Sequence, residues 1–595
     1  MELLESSAEL RPRHRVLYTL FSLLFLFSGF YYQDNLGGEG LSLPFNAVIW
    51  VPVLLITGGG IFTMLSSGVW VSARYLGLLS LFPLGIVLGG FLSGLERPGE
   101  WLVRLGVLVG GMLFWFSLLQ YRLKRLDVEQ LLYLLLASFL LHAMVGVLQL
   151  VPDPLLKGWI PVADQKLLGM FQQPNLQASL MATAIALAIY LASLPSFRFQ
   201  RWPMQALVYL TLPLAVMEVV GSGSRVGMLG AAISLLLLVM ARWSIWRRTY
   251  RRSTVLIVLI SAGVWSGLQV SDGALRAYSK VEQMAEAGAD ARPHIYRIAF
   301  DVFQRSPWIG HGIGSFQREF QNQRIPYAEE RDASAIAGAP RFSHPHNELL
   351  FWMDEGGLLA LLAIVAATIA VLLQLVKLGW QRGGALAALL LPITLHTQVE
   401  LPFYISTFHW LVLLVLLFVC FSFGARTRRV NLSLGATRLV TGSVFVIVPL
   451  VSVFLTHALL AQTGIMQYLK GRGTQPAHLN VALSDLYFRE AGEYFTMRAV
   501  LYTGIQSQNS EQVSLFNDWS EVFLNQLPDI QIYKDRATAL QFLNRESEAE
   551  ALLDLAHKIY PGDSSISAMR AAFEKGELLY KRTGVSAANP QSESK

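Results

Sequence analysis

The sequence predicts an all-α, polytopic helical membrane protein, and three observations carry that prediction. Of its 595 residues, 53% are hydrophobic and only 15% charged, with a mean hydropathy of +0.44; a soluble globular chain carries about a quarter charged residues. Apolar runs of roughly 17 to 25 residues, the length needed to cross a hydrocarbon core, recur as far as about residue 461. Lysine and arginine gather in the short segments between the runs, where they orient membrane helices. The net charge of +6 is therefore a topology signal, and nucleic acid is not among the expected partners. The single Cys420 lies in an apolar run, which excludes an internal disulfide.

The runs fall near 16–33, 46–66, 72–94, 101–121, 129–151, 174–195, 204–221, 224–242, 253–270, 347–376, 384–404, 406–424 and 438–461, about thirteen spans. Residues 1–15 are polar and the first run is long, so it reads as an uncleaved helix. Arg11, Arg13 and Arg15 place the N-terminus in the cytoplasm. Tyr121 to Arg125, the segment with Arg198 and Arg201, Arg247 to Arg252, Lys377 with Arg382, and Arg426 to Arg429 fall on the same face. Gln33 to Pro44, Glu96 to Glu100 and Pro152 to Leu168 are poorer in positive charge. An odd number of spans then puts the loop 271–346 and the tail after Gln462 on the periplasmic face.

The chain divides accordingly into a transmembrane domain, 1–461, which includes the loop 271–346; a periplasmic helical domain, 462–584; and a disordered end, 585–595. In the tail, Ala537, Ala549, Ala556 and Pro561 stand at the spacings of one tetratricopeptide unit, with helices expected near 535–543 and 546–558. An ordinary helical bundle fits the same pattern.

The chemistry concentrates at a few places. Phe342-Ser343-His344-Pro345-His346-Asn347-Glu348 closes the long loop and opens a membrane helix. Histidine trades protons near neutral pH, Pro345 extends the backbone before it, and Asn347 and Glu348 are placed to orient an imidazole. Asp354 and Glu355 lie two turns further on. A His-x-His metal site would need further ligands that are not nearby. Arg225, at a tight re-entry, and Arg292 and Arg297, at the start of a helical stretch from Pro293 to Arg305, are forks suited to phosphate oxygens; singly, each reads as a surface arginine. Gly310-His311-Gly312-Ile313-Gly314 reads as a turn with spare backbone donors. His396, Gln398 and Glu400 close one apolar run, and His142 and Glu218 lie inside others. Intramembrane groups of this kind are functional candidates or helix–helix hydrogen bonds.

At these residues the chain resembles the O-antigen ligase superfamily, and within it the bacterial O-linked protein oligosaccharyltransferases of the PglL type. Gly169 to Ala178, with Gln173-Pro174-Asn175, is similar to the signature of the protein-glycosylation branch. Ser224-Arg225-Val226-Gly227 and Arg292 to Phe316, with Ser306-Pro307-Trp308-Ile309-Gly310-His311-Gly312, resemble the central arginine motifs and glycine loop. His346-Asn347 followed by Gly357 fits the His-Asn-x9-Gly pattern; Ala360 departs from the small or hydroxylated position that follows.

The resemblance covers roughly residues 130–425. It implies a GT-C type fold and a periplasmic, inverting, en bloc transfer of a glycan from undecaprenyl diphosphate to Ser or Thr of a protein such as a pilin. It implies an inner-membrane enzyme of a Gram-negative bacterium that uses no nucleotide sugar, cofactor or metal. Arg225 and Arg292 would hold the diphosphate and His346 would take the acceptor proton. Arg297, His344, Asn347, Gln173, Asn175, His311 and Glu400 complete the expected substrate-binding set, and the tail would dock the acceptor. Ligation to lipid A–core, or polymerisation of O-antigen, shares this chemistry. A transporter of lipid-linked sugars would instead need paired charges near the bilayer midplane and internal repeats.

Overall fold

The computed structural model describes residues 13–579 apart from 95–96, 152–155, 157, 162–165, 271–290, 332–335, 337–341 and 431. Arg11 and the expected disordered end 585–595 lie outside the described residues. The helices long and apolar enough to cross a membrane are α1 (Pro44–Ser67), α3 (Pro98–Gln120), α4 (Arg125–Leu148), α5 (Pro174–Ala192), α6 (Trp202–Gly221), α8 (Tyr250–Gln269), α11 (Glu348–Lys377) and α14 (Leu434–Lys470). Shorter apolar helices are α2 (Leu76–Leu92), α7 (Arg225–Ala241) and α13 (Thr407–Ser422).

Two expected spans are interrupted. The run 16–33 passes into a π-helical turn at Leu23–Phe27 and a 3-10 turn at Ser28–Phe30. The run 384–404 holds α12 (Ala385–His396), 12 residues long, after another π-helical turn, and then breaks before a single helical turn at Pro402–Ile405. Hydropathy reports how apolar a stretch is; it is blind to where the ladder of backbone bonds breaks.

The chain forms two compact units. The first comprises Met1–Leu84, Arg104–Glu286 and Ala363–Thr456; the second comprises Gly85–Val103, Ala287–Leu362 and His457–Lys595. In the first unit α5 is the central helix, almost wholly buried, and α4, α6, α7 and α12 pack on it. Small residues permit the approach, as is usual where helices meet in a bilayer. A Cβ on Gly227 would stand 2.5 Å from Ala178 Cβ, and one on Gly230 would stand 3.3 Å from Pro392 Cα. The only sheet among the described residues pairs β1 (Val69–Ser72) antiparallel with β2 (Arg426–Arg429).

The second unit contains α9 (Ala291–Arg305), α10 (Phe316–Glu330) and the helices of the tail. These are α15 (Arg489–Gln506), α16 (Ser510–Gln526), α17 (Ile530–Phe542), α18 (Glu546–Ile559) and α19 (Ser564–Glu574), each packed on the next. Asn509, Asp529 and Asp563 cap α16, α17 and α19 through their side-chain oxygens. The pair α17–α18 is the expected tetratricopeptide-like hairpin. Ala537, Ala549 and Ala556 are fully buried in it, because only a methyl fits where two helices of such a unit meet.

Candidate active site

The histidine loop lies in the second unit. Asn347 Oδ1 accepts the Leu350 N–H at 3.0 Å, so Asn347 caps the first turn of α11. His346 stands just before this cap at φ 55°, a left-handed conformation uncommon for a side chain with a Cβ and concentrated at functional sites. Its backbone N–H donates to His344 Nδ1 at 3.2 Å, and the two rings meet edge-on with centroids 4.5 Å apart. That bond leaves His344 Nδ1 without a proton. His344 thus acts on the backbone that presents His346.

Ten residues beyond His346, α11 breaks. Gly357 adopts φ 63°, ψ −159°, and residues 307–312 cross the break. Leu358 and Leu359 donate their N–H groups to the carbonyls of Pro307 (2.7 Å) and Trp308 (3.2 Å). His311 and Gly312 donate to the carbonyls of Asp354 (2.9 Å) and Glu355 (3.0 Å), and Glu355 Oε1 accepts the Gly314 N–H at 3.0 Å. Gly310 donates to the Ser306 carbonyl at 3.1 Å, so the glycine turn spends four of its backbone donors inside the fold. His311 is turned inward as well: Nε2 donates to the Val302 carbonyl at 2.9 Å and Nδ1 stands 3.7 Å from Glu319. Both carboxylate oxygens of Asp354 are buried without a hydrogen-bond partner among the described residues.

Arg292 and Arg297 both belong to the first turns of α9; Arg292 is half-buried and Arg297 exposed. His294 Nδ1 lies 2.8 Å from the Tyr327 hydroxyl, which fastens the start of α9 to α10.

The tail holds these same elements. Arg97 forms a two-pronged ion pair with Glu490 (3.0 and 2.8 Å) and donates to the Gly314 carbonyl at 3.3 Å. Arg324, on α10, donates to the Ile336 carbonyl at 2.7 Å and lies between the rings of Phe342 and Tyr560, 5.6 and 5.8 Å from their centroids. Burial pulls its guanidinium down to about 10, against the pull of Tyr560. Tyr560 donates its hydroxyl to the Pro528 carbonyl at 3.0 Å. Phe342 opens the segment that ends in His346, so the chain reading into the histidines is braced by α18.

The second group of candidates lies in the first unit. Gln149 is buried and clamps the turn before α5, accepting from the N–H groups of Leu168 and Gly169 and donating to the Gly169 carbonyl. Gln172 then takes φ 58°, and Gln173 occupies the N-cap of α5 with its side-chain oxygen buried and, among the described residues, unpartnered. Pro174 opens the helix, where its missing N–H costs nothing. Asn175 donates its amide to Glu400 Oε1 at 3.0 Å, and His396 Nε2 lies 2.8 Å from Glu400 Oε2. His396 Nδ1 is in turn 2.8 Å from Ser179 Oγ. Arg225 is the first residue of α7, whose cap is Ser224. The contact of Gly227 with Ala178 sets the first turn of α7 beside the first turn of α5. Arg225, Asn175 and Glu400 thus share one end of this bundle.

Comparison with known families follows this geometry closely. Residues 168–192 match the protein glycosylation ligase family, and residues 210–365 match O-antigen ligase. Residues 385–572 match the C-terminal part of the virulence factor membrane-bound polymerase family. These three matches support the O-antigen ligase superfamily, with its protein-glycosylation branch, as the family of this chain. No curated protein matches it.

The first match runs from the Gly169 turn to the end of α5, and the second from within α6, through Arg225, to beyond Gly357. The third holds His396, Glu400 and most of the tail. The sequence reading named His396 but missed Ser179. Its signal was there: Asn175 with Ser179, and His396 with Glu400, are both i, i+4 pairs, so each pair faces one way. Of the other intramembrane groups, Glu218 accepts from Gln177 at 2.6 Å. The His142 ring lies among Phe30, Phe171 and Phe408.

Proposed function

We propose that this enzyme transfers a glycan en bloc, with inversion, from undecaprenyl diphosphate to a Ser or Thr hydroxyl of a periplasmic protein such as a pilin. The observation that carries the reading is the Gln-Pro-Asn turn. It falls in the region similar to protein glycosylation ligases and is tied through Asn175 to Glu400, at the bundle end where Arg225 begins α7. A turn built so firmly beside an arginine suits the acceptor side of a diphosphate reaction.

In this reaction the acceptor oxygen attacks the anomeric carbon as the bond from that carbon to the phosphate oxygen breaks. The bonding pair leaves with undecaprenyl diphosphate, and the acceptor proton passes to His346. Negative charge grows on the leaving diphosphate, where the guanidinium forks of Arg225 and Arg292 hold it. The strained backbone of His346, fixed by His344 and by the Asn347 cap, presents the imidazole in one direction. Gln173, whose amide oxygen is buried and has no partner among the described residues, and Arg297 are further contacts for substrate. The chemistry draws on side chains alone, without metal or cofactor, on the periplasmic face of the inner membrane.

One observation favours a second acceptor class. The match of residues 385–572 to a membrane-bound polymerase family supports a sugar hydroxyl, as in ligation to lipid A–core or chain polymerisation. The test is reconstitution of purified protein with lipid-linked oligosaccharide, no nucleotide, a chelator, and either a pilin-type protein or a glycolipid acceptor. Glycosylated protein with the wild type and none with His346→Ala is expected. Product on the glycolipid alone would transfer the assignment to the second class. Undiminished transfer by His346→Ala would remove the proton role, and vesicle uptake without covalent product would point to transport.

A further inference from the structure

The ladder of β1 and β2 plays no part in the proposed chemistry, yet it is built with care. Val69, Trp70, Val71 and Ser72 stand opposite Arg429, Arg428, Thr427 and Arg426. Beyond them, Val430 donates to the Gly68 carbonyl at 2.9 Å. Gln120, itself buried, locks the ladder to the end of α3: its Oε1 accepts the Val71 N–H and its Nε2 donates to the Val71 carbonyl, both at 2.9 Å. The Trp70 ring meets Phe116 edge-on at 5.8 Å.

This anchored ladder holds three arginines in four residues, all exposed. Among the described residues none of Arg426, Arg428 and Arg429 forms an ion pair. Beside them lies a groove of about 570 Å³. Arg428, Arg429, Ser72 and Ser80 supply its polar lining, and Trp70 and Leu76 its apolar lining. The groove opens where α2 begins, at the change from polar loop to apolar helix, the depth at which tryptophan collects in membrane proteins.

Charge alone would orient a membrane helix, and a flexible loop supplies charge as well as a strand does. A ladder fixed by a buried glutamine adds geometry. It holds two guanidinium forks over an amphipathic groove without a carboxylate to neutralise them, and such forks match the oxygens of a phosphate. We propose that this groove binds the phosphate headgroup of an anionic membrane phospholipid, with Arg428 and Arg429 on the phosphate and the acyl region against Leu76 and Trp70. The site is independent of the glycan-transfer reading.

Native mass spectrometry of the full-length protein, titrated in detergent with phosphatidylglycerol, phosphatidylcholine or soluble glycerol phosphate, tests it. Phosphatidylglycerol should be retained selectively. The double variant Arg428→Ala/Arg429→Ala should weaken it about thirty-fold, the factor for two cations at about 1 kcal/mol each. Arg247→Ala/Arg248→Ala, which removes a basic pair elsewhere on the first unit, should change retention less than threefold. Thiol labelling of Cys420, the sole and buried cysteine, checks that each variant is folded. Equal retention of the two lipids, or equal losses from the two arginine pairs, would overturn the proposal. Glycerol phosphate binding as tightly as the lipid would make this a free-phosphate site and overturn it as a lipid site.

Discussion

Gly357→Ala perturbs the point on which the geometry of the second unit's candidate site turns. At φ 63°, ψ −159° an alanine occupies a region open essentially to glycine alone, at a cost of about 1 to 3 kcal/mol. The new Cβ would also stand 2.5 Å from the Trp308 carbonyl carbon and 2.6 Å from the nitrogens of Ile309 and Gly310. All three are backbone atoms that cannot rotate away, so residues 307–310 must move. If the bonds from Leu358 and Leu359 to Pro307 and Trp308 are lost, a further 1 to 3 kcal/mol or so goes with them. The sum, about 2 to 6 kcal/mol, is a large share of an ordinary domain's stability. Hydrogen exchange should show segments 307–314 and 354–359 at least tenfold less protected, and glycan transfer should fall by at least as much. Cys420 labelling, which reports on the first unit, should stay slow. Gly106→Ala is the control, since a Cβ there meets nothing within 4 Å. Unchanged protection of 307–314 together with unchanged transfer would refute the reasoning that the crossing positions this site.

Four other outcomes are expected. Asn175→Asp would set a second carboxylate against Glu400 Oε1, now 3.0 Å from the amide, and should cut transfer at least tenfold; adding Glu400→Gln should recover most of the loss in a double-mutant cycle. Tyr560→Phe leaves the buried Pro528 carbonyl without its hydroxyl donor, which should cost the second unit about 1 kcal/mol in denaturant unfolding. Arg324→Leu should lower the turnover number more than it changes KM if the brace positions His346. Glu548 is exposed, and hydrogen bonds from Arg545 hold its carboxyl below the ordinary range. It therefore contributes stability that is present above the usual carboxylate pKa and lost as pH falls through the depressed value. Unfolding of Glu548→Gln followed against pH should lack that slope, a small difference that salt removes.

How much of this was legible in the sequence depends on distance along the chain. Apolar runs of membrane length became helices because a backbone in lipid must satisfy its own hydrogen bonds. The tail hairpin was legible because its small residues recur at short spacing, and α17 and α18 end within a residue or so of the expected limits. The cap made by Asn347 has a local signal, an asparagine just ahead of a long apolar run. The crossing of residues 307–312 over Gly357 was not legible. Each glycine marked a local freedom, but nothing local pairs His311 and Gly312 with the carbonyls of Asp354 and Glu355. The same holds for β1 and β2, whose partners are separated by most of the chain and whose arginines look like ordinary topology signals.

The candidate functional side chains share a feature that explains why the helices around them are broken. Gln173, Asn175, Arg225, His346 and Glu400 all stand at or beside helix ends, none in the middle of a span. A helix end leaves backbone groups without intrahelical partners, and in a bilayer each must be matched by protein. The turn before α5 is matched by Gln149, the start of α7 by Ser224, and the start of α11 by Asn347. The break after Gly356 is the extreme case. It frees two N–H groups and two carbonyls, and the Ser306–Gly312 turn meets all four with bonds of 2.7 to 3.2 Å. Each buried side chain spent on such a match lets polar chemistry sit at the rim of an apolar bundle. Replacing a match therefore differs from replacing a catalytic group. Gln149→Leu should disturb the Gln-Pro-Asn turn and raise KM for acceptor, whereas His346→Ala should abolish turnover with donor binding intact.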